Sequence, residues 1–576
     1  KRDMTDSANW TPNTGYPQTM EDTATFAVSA STAVNVGSGI AVKCIRVSGT
    51  KDLAITGAAI SLGADGINST ASSSAATVTI ANNLTISAAE TVISNTTGAV
   101  HLQGVVSGTG GILKGGAARL YLYSDNPFTG DFQSKGTGKR VDGSAVNYSG
   151  ASGDSSGVVI SHVGALGRGM VWFDKGITGD NGTGARLTVS GASGTIANDI
   201  QLSPDKNASY SLIVDGGGVT FSGKLSSVRQ ARVKLSSASE LHFQGQFAHG
   251  NYLYLEADGA NAKIYLDHSL DAGSVQVSSS ATGGVYLNAL TDWQTGVNLF
   301  MAAGRVVCAD EHVLPEKMNY GFAWQSSSAV LDLNGYDQTV LIWNAQSVET
   351  QYPAAQITSP ENNPAQIFCK VDKDSTFGCR FTGTAGFVWN PRADGKTLTF
   401  LGGVNSDGFR VYSPFVISGE GTLSLHKGHD LQIYNANLTI SSKIANNSTD
   451  PDALQGLRLR WSGDMFRGGI TVTGENGSTG SVLAAYYQSG FKVNKIGRRN
   501  EKGNLGIGNK IALANECAIE LLGGDDVSDR TILIQANTIG SLPPAGVVRH
   551  SGTGTLRWEG AVAQEVQNAT LILDGA

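Results

Sequence analysis

Val78-Thr79-Ile80-Ala81-Asn82-Asn83-Leu84-Thr85-Ile86 is the stretch on which the fold turns. Apolar residues alternate with threonine on both sides of a short asparagine step. Successive side chains of a strand point to opposite faces, so this reads as two short strands, each with one buried face, joined by a tight corner. The pattern returns at Leu212-Ile213-Val214 through Gly216-Gly217-Gly218 to Val219-Thr220-Phe221, and again at Lys396-Thr397-Leu398-Thr399-Phe400. It recurs from Leu431 through Asn435 to Leu438-Thr439-Ile440, and at Thr570-Leu571-Ile572-Leu573. Amphipathic helices are nearly absent. The best helical candidate, Ile511 to Leu521, spaces its apolar residues equally well as two short strands.

Strands of three to five residues are too short for a large flat sheet, but they suit coils that stack and share their buried faces. The expected fold is therefore all-β, a parallel β-helix (β-solenoid) with short strands, glycine- and asparagine-rich corners and roughly 20–30 residues per coil. Composition agrees. The 74 glycines in 576 residues are near twice the usual ~7%, and only 15% of residues are charged against about 25% in typical globular proteins. A β-sandwich array, the structural competitor, calls for longer strands and more proline than the 13 present. Residues 1–22 lack the alternation and read as an extended N-terminal arm outside the repeat. Residues 23–576 read as an irregular solenoid in which 291–345 is the candidate break.

A net charge of −7 with mixed signs offers no basic face for nucleic acid. No run of eighteen apolar residues exists for a transmembrane helix. The chain opens at Lys1 with no apolar targeting segment, which fits a processed N-terminus or a boundary drawn by other means. Five cysteines, Cys44, Cys308, Cys369, Cys379 and Cys517, are too few for a disulfide scaffold. Cys369 and Cys379 lie close enough in sequence for a hairpin to bring them together. Both a disulfide and buried thiols fit them.

The segment from Ser107 to Gly130, SGTGGILKGGAARLYLYSDNPFTG, resembles the autotransporter-associated β-strand repeat, also called the passenger-associated transport repeat. Ser107, Gly108, Gly110, Gly111, Lys114, Gly116, Leu120, Leu122, Asn126 and Gly130 fall in register with that unit, while Ile112, Ala118, Ser124 and Phe128 replace its usual Leu, Gly, Gly and Tyr. Leu120 and Leu122 should point inward, Tyr121 and Tyr123 outward, and Asn126 should cap a turn. Partial copies stand at Ser418–Leu425 and Ser551–Trp558, and Leu331 to Val340 is similar to another segment common in such proteins. The resemblance implies a bacterial surface or secreted β-helix, in some members displayed by a C-terminal outer-membrane barrel. The strands such a barrel needs are not found before Leu573-Asp574-Gly575-Ala576, so the expectation is a chain cut before its anchor or one displayed another way.

Several clusters carry possible chemistry. His426-Lys427-Gly428-His429-Asp430 offers two imidazoles and a carboxylate but no third fixed ligand, and reads as a solvated turn. Asp525, Asp526 and Asp529 after Gly523-Gly524 could hold Ca²⁺, yet the repeated glycine-aspartate nonapeptide of calcium β-rolls is missing and a polar turn is the plainer reading. Asp174 and Asp180 flank Lys175 and are the nearest approach to a catalytic carboxylate pair of the kind polysaccharide lyases and hydrolases need. Turn chemistry explains them equally. Lys492, Lys495, Arg498, Arg499 and Lys502 form the basic cluster of the chain and read as a protruding loop, either solvated or contacting an acidic neighbour or an anionic surface glycan. Sequons at Asn83, Asn95 and Asn437 carry no assigned role.

The sequence thus points to a structural or adhesive extracellular surface protein, non-enzymatic and without cofactor or metal, which self-associates end to end into a filament or surface layer and contacts a surface glycan or host cell. Trp10, Tyr16, Leu571 and Leu573 are the candidate assembly contacts. The alternative is a polysaccharide-active enzyme or glycan-binding protein on the same scaffold.

Overall fold

The computed structural model describes residues 2–134 apart from 12–14, most of 157–288, separate stretches of 298–385, and 492–575 apart from 502–503, 506–507, 515 and 537–543. Between 386 and 491, and at 138–139 and 145–146, it describes strand backbone alone. The chain divides into two compact units, Lys1–Gln294 and Thr295–Ala576. Both are parallel β-solenoids.

In the first unit, one stack of hydrogen-bonded strands runs through Thr32–Val36, Leu53–Gly57, Val78–Ile80, Val100–Leu102, Arg119–Leu122, Gly157–Ile160, Arg186–Ser190, Leu212–Asp215, Gln230–Leu235, Tyr252–Ala257 and Ser274–Ser279. Every neighbour in it is parallel and in register. Leu53, Val78, Val100, Leu120, Val158, Leu187, Leu212, Val233, Leu255 and Val277 consequently form one column, each directly above the last. All are buried. Two residues along each strand, a second buried column runs through Ile55, Ile80, Leu102, Leu122, Ile160, Val189, Val214 and Leu235. Period-2 alternation is what makes this possible: with one face of every strand apolar, stacking in register joins those faces into a continuous core at roughly 1.5–3 kcal/mol per fully buried side chain. Two further stacks complete the walls, and Phe221, Phe243 and Phe247 fill the interior with ring centroids 5.9 and 5.5 Å apart.

The stretch from Ser107 to Gly130 behaves as its residues suggest. Leu120 and Leu122 are fully buried, while Tyr121 and Tyr123 face outward, Tyr123 being 37% exposed. Asn126 does more than cap a turn. Its Oδ1 accepts from the backbone N–H of Val106 at 2.8 Å and its Nδ2 donates to the carbonyl of Ala165 at 2.8 Å, so one buried amide ties a coil to both neighbours. Gly116 takes φ +75° with the Asn95 carbonyl 2.1 Å from where a Cβ would stand, a close approach open only to glycine. The spacing from Leu120 to Val158 is the long one in the column. It includes the antiparallel pair Gly138–Lys139 and Ala145–Val146, an insertion between coils.

The second unit also consists of parallel stacks. One runs through Ser375–Phe377, Lys396–Phe400, Phe415–Ser418, Leu438–Ile440, Ile470–Val472, Gly490–Val493, Cys517–Leu521, Ala545–His550 and Thr570–Gly575. The helical candidate at 511–521 is two strands, Lys510–Leu513 and Cys517–Leu521. Between them Glu516 sits at φ +59°, which makes the corner.

The opening residues differ from expectation. They do not lie outside the repeat as an arm: Arg2 and Asp3 pair in parallel with Val34 and Asn35, and Met4 is buried. Trp10 packs on Phe26 with centroids 5.8 Å apart and donates its indole N–H to the carbonyl of Met4 at 2.9 Å. The reason is edge satisfaction. Arg2 and Asp3 supply hydrogen-bond partners along part of the edge of Thr32–Val36. Among the described residues no helix is long and apolar enough to cross a membrane.

Candidate functional site

The strand Gly490–Val493 runs into the basic segment, which is held down rather than protruding. Ile496 and Leu505 are fully buried, and the Oδ1 of Asn504 accepts from the backbone N–H groups of Asn494 and Lys495 at 2.9 and 2.7 Å. Beneath it, Asp526 Oδ2 accepts from the N–H groups of Ile496 and Gly497 at 2.6 and 3.1 Å, and Asp529 Oδ1 accepts from the N–H of Arg499 at 2.7 Å. Asp525 Oδ1 takes the N–H of Thr555 at 2.7 Å. The three aspartates considered for calcium therefore each accept a backbone amide, and among the described residues no group of His, Cys, Asp and Glu has the geometry of a metal site.

Arg530, which sequence reading passed over, is the centre of this arrangement. It is fully buried and donates from Nε, Nη1 and Nη2 to the carbonyls of Gly497, Gly508 and Arg498 at 3.2, 2.7 and 3.3 Å. Burial lowers its pKa to about 10, which leaves the guanidinium charged at neutral pH, and the coulombic fields of Asp529, Asp526 and Glu501 act in its favour. The Trp558 indole N–H donates to the Arg530 carbonyl at 3.0 Å. Nothing in hydropathy flags such a residue; the adjoining Asp529-Arg530 pair at a strand start was its only mark.

Over this base opens a cleft of about 530 Å³ lined by Lys495, Arg498, Glu501, Asp525, Asp526, Val527, Thr555 and Arg557. Arg498 and Arg557 both reach Glu559, at 2.6 and 2.5 Å, and Arg498 holds that carboxyl below its usual range. Lys492 faces Glu520 at 3.8 Å and Arg499 faces Asp529 at 3.3 Å. The basic cluster is thus not one cationic patch: three of its members are paired with acids, and Lys495 and Arg498 line the cleft. Lys502 lies outside the described residues, as do Asp174, Lys175, Asp180, His426, His429, Asp430, Cys379 and the side chain of Cys369. Cys44, Cys308 and Cys517 are buried.

Outward columns in the first unit form a second kind of surface. His101 stacks on Tyr121 at 4.3 Å, and His242 stacks on Tyr265 at 4.2 Å, which stacks on Tyr286 at 4.8 Å. Asp267 accepts from Asn288 at 2.6 Å and lies 2.8 Å from His242 Nδ1. Lys234 reaches Glu256 at 2.9 Å and Asp258 at 2.6 Å, with the Tyr210 hydroxyl donating to the same Glu256. These rings turn their faces on each other and these charges meet across coils.

Of the assembly candidates, Trp10 and Tyr16 are half-buried and Trp10 is engaged on its own coil. Leu571 is half-buried and Leu573 is 75% exposed. The class of protein these features define is a parallel β-solenoid with coil-to-coil polar ladders and one clamped, mixed-charge cleft. No protein-family model, no curated protein and no solved structure matches the chain.

Proposed function

We propose that this chain is a structural or adhesive protein of the extracellular surface, with coils of the autotransporter-associated type, that binds and does not catalyse. The observation that carries the reading is where its outward polar groups go. Glu256, Asp267, Asp529 and Glu559 each meet a cation, an amide or a backbone N–H of a neighbouring coil or segment. Outward carboxylates spent on coil-to-coil contacts in this way suit a rigid scaffold that presents ligand sites. Protease treatment of intact source cells, with mass spectrometry of the released peptides, tests it: peptides of this chain should appear in the shaved fraction, and their confinement to the lysate defeats the reading. Release of product from polysaccharides by the purified protein would favour the enzymatic alternative instead.

End-to-end self-association is a second reading that one observation favours. The strand Thr570–Gly575 pairs with Ala545–His550 on one side, and Ile572 and Leu573 are 41% and 75% exposed. Exposed apolar side chains of this kind suit contact with a second copy.

A further inference from the structure

We propose that the cleft between residues 495–501, 525–527 and 555–557 is a binding site for a uronic-acid-bearing glycan. The inference deepens the adhesive reading, on which it rests, by naming the site and the ligand chemistry. The cleft presents cations and carboxylates together: Lys495, Arg498 and Arg557 against Glu501, Asp525 and Asp526. A polyanion without donors would meet the carboxylates, and a cation would meet the guanidinium groups. A sugar acid satisfies both, because its carboxylate accepts from guanidinium and ammonium groups while its ring hydroxyls donate to carboxylate oxygens.

Not all of these groups are free, and their state sharpens the assignment. Asp526 is spent on the N–H groups of Ile496 and Gly497, and one oxygen of Asp525 on that of Thr555. Arg498 and Arg557 share the single carboxylate of Glu559, so two guanidinium groups meet one negative charge. Lys495 and Glu501 are exposed, and neither side chain hydrogen-bonds a described residue, although Glu501 lies within the electrostatic field of Arg498 and of the buried Arg530. Lys495 and Arg557 therefore supply the carboxylate contact, and Glu501 with the second oxygen of Asp525 supplies the acceptors for hydroxyls. At about 530 Å³ the cleft falls within the roughly 300–1,000 Å³ of small-molecule sites, room for a short oligosaccharide. Among the described residues no aromatic lines it, and the recognition these residues offer runs on hydrogen bonds and charge. The floor is pre-organised by Asp526 and Arg530, which limits the ordering cost of binding.

Isothermal titration of the whole chain with trigalacturonate, and with its methyl ester as the uncharged counterpart, tests the proposal. The acid should bind, and the ester should bind at least tenfold more weakly. Lys495→Ala and Arg557→Ala, both at exposed positions, should each weaken the acid by tenfold or more with an unchanged circular dichroism spectrum, while Lys43→Ala, in the other unit, should have no effect. Glu501→Gln should also weaken it, whereas diffuse attraction to a basic surface would be strengthened by removing that negative charge. Equal affinity of wild type and the cleft variants overturns the site. No binding of the acid by the wild type, or equal binding of the ester, overturns the ligand class. Neither result bears on where the protein resides, which the protease experiment decides by itself.

Discussion

Lys114 shows how far a single residue's setting can depart from what its letter suggests. It falls on the lysine of the repeat-like segment, yet the side chain is fully buried and its Nζ donates to the carbonyls of Gly115 and Gly116. Burial lowers its pKa to about 7 from an ordinary 10.5. Between those values the unfolded chain holds a proton that the folded chain does not, so stability rises with pH across the window, by up to about 1.4 kcal/mol per unit. Below pH 7 both states are protonated and the cost of the buried charge stands in full. Lys114→Met should flatten this dependence. In thermal melts between pH 7 and pH 10, the difference in midpoint between variant and wild type should shrink as pH rises; a constant difference would show that the amine is not neutral in the fold. The same logic disposes of the sequon at Asn95, whose side chain is buried and donates to the carbonyls of Gly98 and Arg119.

At the scale of the element, corners separate two kinds of glycine. Gly116 and Gly191 both have positive φ, +75° and +68°, but a Cβ on Gly116 would stand 2.1 Å from the Asn95 carbonyl oxygen whereas one on Gly191 meets nothing within 4 Å. Gly191→Ala should cost only the backbone strain, about 1–2 kcal/mol. Gly116→Ala carries that strain plus a backbone clash between coils, and should lower the urea midpoint by clearly more; equal losses would show that the coils move apart easily. The strands themselves were legible because alternation is a local signal: Val78, Ile80, Leu120 and Leu122 could be placed in the core from their neighbours alone. The segment from Asn494 to Leu505 was not. Its two buried anchors, Ile496 and Leu505, stand amid charges, and what holds it down is a set of hydrogen bonds from Asp526, Asp529 and Arg530 to backbone groups some thirty residues away. Hydropathy carries no trace of such bonds. Asp526→Ala leaves the N–H groups of Ile496 and Gly497 without their acceptor, at about 1–3 kcal/mol each if they stay buried. Hydrogen exchange at Ile496 and Gly497 should then rise at least tenfold while that of the strand Cys517–Leu521 changes little. Equal acceleration in both would mean the segment and the coil open as one.

For the whole molecule, the governing fact is that a solenoid coil is complete only between two others. In the column from Leu53 to Val277 each residue is covered from above and below, and all are buried. By contrast Ile572 and Leu573, within the strand Thr570–Gly575, are 41% and 75% exposed, and Val562 in the preceding strand is 56% exposed. In the first unit Arg2 and Asp3 pair with Val34 and Asn35, Met4 is buried and Trp10 is packed on Phe26, so these residues are not free to reach another molecule as an arm. If copies join end to end, the exposed apolar side chains of Thr570–Gly575 are the surface to test, and a swapped arm that uses Trp10 is not. The contact would be heterologous, and a heterologous contact that does not close produces open chains of copies. Sedimentation velocity over a concentration series distinguishes the possibilities with one substitution. The 576-residue chain should form species that grow with concentration, and Leu573→Asp, which places a charge on this exposed apolar surface without touching the core, should return it to a single species. Deleting residues 1–11 should not have that effect, because Trp10 serves its own coil. A chain that stays monomeric at every concentration, or one whose assembly survives Leu573→Asp but is lost on deleting the opening residues, overturns the end-to-end reading through this strand.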